Sequence, residues 1–552
     1  MIEINYVKSF VEKSIRENWN NPALSDYQGK TLTYKQVAGE IHRIHRIFDI
    51  YGVQPGDKIA LVGRNNSNWA IIYLATITYR AVIVPILADF SSTDIHHIVN
   101  HSDSVMLFAG EMVWEGLDAK AMPNLKAIFS VNTFGELVSR DHAAAQRLAE
   151  NEPITQSEID ALTPQKISYP ENSNANLGVI SYTSGTMGFS KGVMLSLNSL
   201  AANVDFGRNN IGIRPKDDIV SFLPLAHAYG CVFEFLMPFS VGCHVTFLTK
   251  VPSPKIILQA FKEIRPRLVL AVPLIIEKIY KKQILPAIDK KSMKALMAIP
   301  GVNRLIFSKI NKKLTDVFGG NFLEIVIGGA ALNPEVEAFL RKIGFRYTVG
   351  YGMTECGPLI SYSGWRTNPQ ASCGQVLPTL EVKIDSKDPY TEPGEILIRG
   401  ENLMEGYYKN PEATSKALVE GWLHSGDLGV FDRNGFLYIK GRSKSMILGA
   451  SGQNIYPEEI EARLNNLPFI QESIVVQQSS KLIGLVYPDY EAADQAGHTE
   501  KELELVMEQH RIEVNKHLPQ YCQIAKIKLH PEEFAKTPKK SIKRFLYQVG
   551  EN

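Results

Sequence analysis

Cysteine is scarce in this chain. Five stand among 552 residues, at Cys231, Cys243, Cys356, Cys373 and Cys522. The number is odd and no pair has Cys-x-x-Cys spacing. A disulfide framework and a structural zinc site are therefore disfavoured, and a reducing compartment is expected. Net charge is nearly absent as well, at +1, so no global field draws the protein to nucleic acid or to a membrane. The opening residues, Met1-Ile2-Glu3-Ile4-Asn5, contain no basic segment followed by an apolar run, and no signal peptide is expected. The longest apolar stretch, 219–248, is broken by Pro224, His227, Glu234, Pro238 and His244. A membrane span wants roughly 20 apolar residues with few charges, so buried strands and a helix of a large α/β domain fit this stretch better. Internal repeats and low-complexity segments are missing too.

What is present is the composition of a globular protein, 45% hydrophobic and 21% charged. The length is too great for one core and implies two or more domains. A strand end and a capped helix are expected at 31–43, a strand at 57–63, a helix at 69–80 and a buried strand at 81–86. This alternation recurs to about residue 350 and predicts parallel sheets flanked by helices on both faces. From 374 to 399 the pattern changes to short alternating strands with turns, as in Glu381-Val382-Lys383-Ile384 and Glu395-Ile396-Leu397-Ile398. After Lys444 a compact α+β unit is expected, with a helix at 457–465, strands near 473–487 and a helix at 499–517. The fold class is thus α/β. A large N-terminal domain covers 1–443, with a small β subdomain at about 370–440, and a small C-terminal α+β domain covers 444–552.

The most informative stretch is Ser181-Tyr182-Thr183-Ser184-Gly185-Thr186-Met187-Gly188-Phe189-Ser190-Lys191-Gly192-Val193. Thr183, Ser184 and Thr186 alternate with Gly185, Gly188 and Gly192, and Lys191 lies among them. Glycines let backbone N–H groups approach an anion closely; hydroxyls donate further bonds and lysine adds a point charge. The combination suits a polyphosphate. It is not a Walker loop, because Ser190 stands where G-x-x-x-x-G-K-[ST] requires glycine. The apolar residues 177–180 read as a buried strand leading into the loop.

Three further segments follow: Gly350-Tyr351-Gly352-Met353-Thr354-Glu355, Ser425-Gly426-Asp427-Leu428-Gly429 and Gly441-Arg442-Ser443-Lys444. Singly, such residues have bland readings: Glu355 as a surface carboxylate, Asp427 as a turn residue and, in a further glycine pair upstream, Gly328-Gly329 as a bend. Together and in this order, the four segments resemble the adenylate-forming enzymes, a family of acyl-CoA synthetases, luciferases and peptide-synthetase adenylation domains. The resemblance covers about residues 34–544.

The resemblance implies ATP, Mg²⁺ and coenzyme A as cofactors, and it implies roles. Residues 183–191 would cradle the β- and γ-phosphates. Glu355 would supply the metal carboxylate, and Thr354 would donate to the α-phosphate. Gly328, Gly329 and Ala330 with Tyr351 and Gly352 would form the adenine slot. Asp427 would accept from the ribose hydroxyls, reinforced by Arg442. Lys444 would be the hinge about which a mobile C-terminal domain turns between two half-reactions. Gly452 would let the pantetheine arm pass. His227 would gate the carboxylate site, and the apolar residues after it would wall an acyl pocket. No Asp stands in that run to hold an α-amino group, so an amino-acid substrate is disfavoured.

The chain departs from the family in three places. Met187 replaces the usual Thr, and Ser190 the usual Pro. In Lys539-Lys540-Ser541-Ile542-Lys543-Arg544, Ser541 stands at the position of the family's catalytic lysine, with Lys540 beside it. The tail is most like that of bacterial long-chain fatty-acid–CoA ligases. The first expectation is therefore activation of a medium- or long-chain fatty acid to acyl-AMP and transfer to coenzyme A. An aryl-CoA ligase, a fatty acyl-AMP ligase, and a weakly active or inactive homologue that binds nucleotide or acyl-CoA remain alternatives. The partners are fatty acid, ATP and CoA, with no nucleic acid, and a homodimer stays open. A cytoplasmic location is expected. A basic amphipathic stretch at 289–313 reads as a solvated helix face, or alternatively as a peripheral contact with the inner membrane surface.

Overall fold

The computed structural model describes residues 2–150, 154–183, 190–250, 253–288, 290–299, 301–448, 453–478, 481–537 and 542–547. Ser184, Gly185, Thr186, Gly188, Gly452, Lys540 and Ser541 lie outside the described residues.

An eight-stranded sheet forms the first layer system. Its order is Gly406–Tyr407, Lys191–Ser196, Leu177–Thr183, Val82–Ile86, Lys58–Val62, Ser104–Ala109, Ala127–Ser130 and Glu136–Ser139. The five inner strands run parallel, as the strand–helix alternation predicts. The edges are antiparallel. For the pairs Leu177–Thr183 with Lys191–Ser196 and Ala127–Ser130 with Glu136–Ser139 the reason is connection length: a chain that turns back within a few residues can only pair antiparallel, whereas a parallel return needs a crossover of a dozen or more. The inner strands are buried along their length, and the helix Ser67–Thr78, buried at every residue, packs on them. The helix Tyr34–Ile50 begins at a reciprocal cap between Thr33 and Gln36, a device worth about 1 kcal/mol.

A second sheet orders Asp218–Ser221, His244–Phe247, Pro22–Asp26 and Thr31–Thr33, the first three parallel. A third orders Val269–Ala271, Ile325–Ile327 and Tyr347–Val349, all parallel. A bridge between Ile219 and Leu268 joins the two. The stretch 219–248 contributes two strands and, between them, a helical run from Ala228 to Val241, all within the core. The small β unit is an antiparallel five-stranded sheet built from strands between Leu380 and Arg442.

The main core closes at Leu437, and a separate core begins at Ile447. The latter unites the helices Pro457–Leu464 and Glu500–Asn515 with the strands Ile470–Gln478, Lys481–Pro488 and Ile524–Leu529. Among the described residues no helix is long and apolar enough to cross a membrane.

Candidate active site

The strand Leu177–Thr183 and the strand Lys191–Ser196 form a hairpin, with Thr183 directly opposite Lys191. The Ser/Thr/Gly run is therefore the connection of an antiparallel pair, and no helix begins at its end. This separates it from the strand-to-helix phosphate loops, which use a helix N-terminus. Lys191 is exposed at the loop's far end. Its ammonium lies over the ring of Tyr407, 4.8 Å from the centroid. The Tyr407 hydroxyl donates to Glu355 Oε1 at 3.0 Å. One tyrosine thus links the lysine of the first segment to the carboxylate of the second, across more than 150 residues of sequence. Burial and the neighbouring Glu355 push the Tyr407 phenol well above its usual range, which keeps it a donor.

The sequence alone does not single out Tyr407. It sits on the edge strand Gly406–Tyr407, paired with Met194 and Val193, and Tyr408 N–H donates to Gly192 C=O at 2.8 Å. The signal was slight: an aromatic pair after glycine, which also describes many ordinary turns.

Glu355 and Thr354 occupy one 3-10 turn, Thr354–Cys356, directly after the strand Tyr351–Gly352. Both are half-buried. Among the described residues no group of three or more His, Cys, Asp or Glu side chains could cage a metal, so Glu355 would serve as a single carboxylate ligand. That donor set suits Mg²⁺, which commonly takes one or two carboxylates and fills its shell with water and substrate phosphate.

Asp427 is buried in the strand Trp422–Phe431, so it is not a turn residue. Its Oδ2 accepts from the Tyr351 hydroxyl at 2.7 Å, and Arg442 Nε pairs with Oδ1 at 2.8 Å. Asp427 and Arg442 are register partners across two strands. The Asp427 charge holds the Arg442 guanidinium above its ordinary range. Tyr351, read as a surface for the base, thus also braces this carboxylate.

A Cβ at Gly328 would come within 3.1 Å of the Tyr229 ring, and one at Gly352 within 2.3 Å of the Pro358 carbonyl. Both glycines make room for the protein's own packing on that side. Gly329 and Ala330 are exposed, beyond the end of the strand Ile325–Ile327. Tyr229, two residues after His227, also donates its hydroxyl to Val326 C=O at 3.0 Å. It ties the His227 segment to the glycine pair, and the sequence alone does not single it out either.

His227 is half-buried and precedes the helical turn Ala228–Gly230. Its neighbours Ala226 and Ala228 line a narrow crevice whose other walls include Leu225, Cys231, Val232, Val179 and Ser181. The crevice has room for little more than a water between its walls. Glu234 does not face it: the carboxyl is fully buried elsewhere, bonded to backbone, and burial pushes it well above the usual range. Lys444 is exposed in the turn between the strands Leu437–Arg442 and Ile447–Leu448. On the far side of that turn, Asn333 Nδ2 donates to Ala462 C=O at 3.1 Å and Lys281 donates to Asn465 C=O, which ties the helix Pro457–Leu464 to the larger part.

A family model described as AMP-binding enzyme matches residues 11–408. The chain belongs to the AMP-binding enzyme family. Family members are ATP-dependent and AMP-forming. Human long-chain-fatty-acid–CoA ligase 1 is 28% identical, with 87% of this chain and 73% of that protein aligned. Long chain acyl-CoA synthetase 1 of Arabidopsis thaliana is 30% identical, over 84% of this chain and 74% of that one. The long-chain-fatty-acid–CoA ligase FadD15 of Mycobacterium tuberculosis is 28% identical, over 84% and 78%. The fold is shared with solved AMP-binding relatives. The crystal structure of ATP-bound MatB from Rhodopseudomonas palustris matches with a TM-score of 0.75 at 20% identity, covering 99% of this chain and 98% of that one. The anthranilate CoA ligase AuaEII in complex with anthranoyl-AMP gives 0.77 at 18%, covering 99% and 96%.

Proposed function

We propose that this chain is an ATP-dependent acyl-CoA synthetase for medium- or long-chain fatty acids. One observation carries the proposal: Tyr407 joins Lys191, at the end of the Ser/Thr/Gly run, to Glu355, while Tyr351 and Arg442 brace Asp427, so the three segments that would hold triphosphate, Mg²⁺ and ribose are brought together. The names of the relatives support the same substrate class.

A carboxylate is a poor electrophile, and hydroxide leaves poorly. Attack of the carboxylate oxygen on the α-phosphorus of ATP expels pyrophosphate and leaves an acyl adenylate. The sulfur of coenzyme A then attacks the acyl carbon, AMP departs and the thiol proton passes to solvent. On this reading residues 183–191 hold the β- and γ-phosphates, Thr354 the α-phosphate and Asp427 the ribose. Mg²⁺ at Glu355 would neutralise phosphate charge. Alignment of the reactants and fixed donors around the developing charge supply the rate. We place the division between a 1–443 domain and a mobile 444–552 domain at Lys444, with Gly452 beside the pantetheine path. The separate cores on either side support that division.

Pyrophosphate release and thioester formation, measured with and without CoA over octanoate, palmitate, benzoate and free amino acids, test the proposal. We expect release with octanoate or palmitate and acyl-CoA only when CoA is present. Activation of a free amino acid, with none of octanoate or palmitate, overturns it. A preference for benzoate favours the aryl-CoA alternative. Acyl-AMP that accumulates in the presence of CoA favours the acyl-AMP ligase.

The proposal includes a cytoplasmic location, supported by five free cysteines, and peripheral contact with an anionic membrane face. Residues 290–315 hold seven Lys and Arg and no Asp or Glu, which leaves the rest of the chain net −6. On the helices Lys291–Met297 and Val302–Val317 and the link between them, Leu296, Ile299 and Leu305 are exposed, beside exposed Arg304, Lys309, Lys312 and Lys313. Apolar side chains among cations suit anionic lipid, at about 1 kcal/mol per Lys or Arg near the surface. We expect the protein to sediment with phosphatidylglycerol vesicles, and the variant carrying Leu305→Asp and Lys312→Glu to stay in solution. Equal sedimentation of the two would show that this face is not the contact. The sedimentation mass of the pure chain decides between monomer and homodimer.

A further inference from the structure

One wall of the crevice beside His227 is irregular chain. Residues 222–226 leave the strand Asp218–Ser221 and reach His227 before the helical run starts at Ala228. Phe222, Leu223, Leu225 and Ala226 are buried, and the last two line the crevice. Buried backbone outside a ladder must find other partners for its N–H and C=O groups. Two side chains supply them. Glu234 Oε2 accepts from the N–H groups of Phe222 and Leu223, both at 3.0 Å, and from the Ser221 hydroxyl at 3.0 Å. Asn65 donates to Leu223 C=O at 2.7 Å and accepts from Leu225 N–H at 3.0 Å.

The origins of the two side chains matter. Glu234 lies on the helical run Cys231–Leu236, which gives Cys231 and Val232 to the opposite side of the crevice. Its carboxyl therefore bridges the helical wall and the irregular wall. Asn65 follows the strand Lys58–Val62 of the eight-stranded sheet, so it ties the irregular wall to the sheet that carries the polyphosphate loop. The walls also meet closely: a Cβ at Gly230 would come within 2.9 Å of the Pro224 carbonyl.

We propose that Glu234 and Asn65 are positioning residues that fix the course of residues 222–226, and with it the place of His227 beside the bound fatty acid. The inference rests on the acyl-CoA synthetase reading. Neither residue lines the crevice. Both act through backbone, so their loss shows in how well different acids fit, while ATP, bound elsewhere, is little affected. Burial holds the Glu234 carboxyl well above the usual range, and among the described residues its Oε1 has no hydrogen-bond partner. A neutral amide of the same shape keeps the acceptor oxygen for the three donors. Glu234→Gln is therefore the conservative variant, and Glu234→Leu, which leaves the donors unmet, the disruptive one.

The experiment measures acid-dependent pyrophosphate release by the full chain with acids of eight, twelve and sixteen carbons, together with KM for acid and for ATP and the thermal midpoint. We expect Glu234→Leu to raise KM for the acid about tenfold or more and to change the ratio of octanoate to palmitate rates. KM for ATP should stay within about twofold, and Glu234→Gln should stay near wild type. Asn65→Ala should move the same quantities in the same direction, and it carries the test if Glu234→Leu does not fold. A purely structural role would lower the thermal midpoint and reduce kcat equally for every acid with both KM values unchanged. That result overturns the inference, as does a Glu234→Gln variant as defective as Glu234→Leu. If wild type releases no pyrophosphate with any acid, the activity reading fails first and the inference with it.

Discussion

Glu355→Ala is expected to lower fatty-acid-dependent pyrophosphate release by roughly 10²–10³, the usual cost of one preorganised charge-stabilising group. Glu355 contributes the half-buried carboxylate of the turn Thr354–Cys356, and in this reading no other side chain replaces it as metal ligand. Lys191→Ala is expected to lose a similar factor, through the β- and γ-phosphates. The geometry adds a third variant with a graded result. Tyr407→Phe keeps a ring beneath the Lys191 ammonium and removes only the hydroxyl 3.0 Å from Glu355. Hydrogen bonds to charged groups are worth about 1.5–3 kcal/mol, so this variant should lose about tenfold to a hundredfold, mainly as a higher requirement for Mg²⁺. Initial rates over a Mg²⁺ titration check all three. Wild-type rates in Glu355→Ala or Lys191→Ala would remove the phosphate-site assignment. An unchanged Mg²⁺ requirement in Tyr407→Phe would mean that the tyrosine only supports the edge strand.

The order of effects follows from what was legible. The alternation of strands and helices to residue 350 was plain in the hydrophobic pattern, because buried parallel strands read as continuous apolar runs. The antiparallel edges were not, since pairing direction depends on how the chain returns and not on which residues are apolar. The hairpin of Leu177–Thr183 with Lys191–Ser196 is the case in point: its first strand was read, its second was not, and the loop's chemistry was recognised without its topology. Chemically distinctive residues in runs, such as Glu355 and Asp427, could be picked out one segment at a time. Tyr407, Tyr229 and Asn65 could not, because each matters through a partner far away in sequence, and Glu234 could not, because its partners 11 to 13 residues away meet it only once the chain has turned back. Glu234 shows the limit well. As a lone acid in an apolar run it could be weighed as a contact for an ammonium, but only the fold shows its carboxyl turned onto the backbone of Phe222 and Leu223.

Ser541→Lys is expected to accelerate the first half-reaction, by about tenfold to a hundredfold, and to leave thioester formation from supplied acyl-AMP unchanged. By resemblance, the family's lysine at this position meets the carboxylate and the α-phosphate as negative charge builds. A serine hydroxyl donates one hydrogen bond but brings no charge, so it stabilises that charge less. The neighbouring described residues bear on the alternatives. Arg544 is paired with Glu461 and Glu458 on the helix Pro457–Leu464, and Lys536 is paired with Glu472 and Glu533. Both cations are thus engaged within the C-terminal unit, and Lys540 and Lys543 are the candidates to stand in for the missing lysine, since a lysine has a long flexible stem. If one of them does so, Ser541→Lys changes little and Lys540→Ala or Lys543→Ala abolishes adenylation. Pre-steady-state pyrophosphate release in the three variants, with acyl-AMP to acyl-CoA conversion as the control, separates the two accounts. A Ser541→Lys variant that slows both half-reactions equally would show that this position acts through folding of the tail and not through charge at the reacting phosphate.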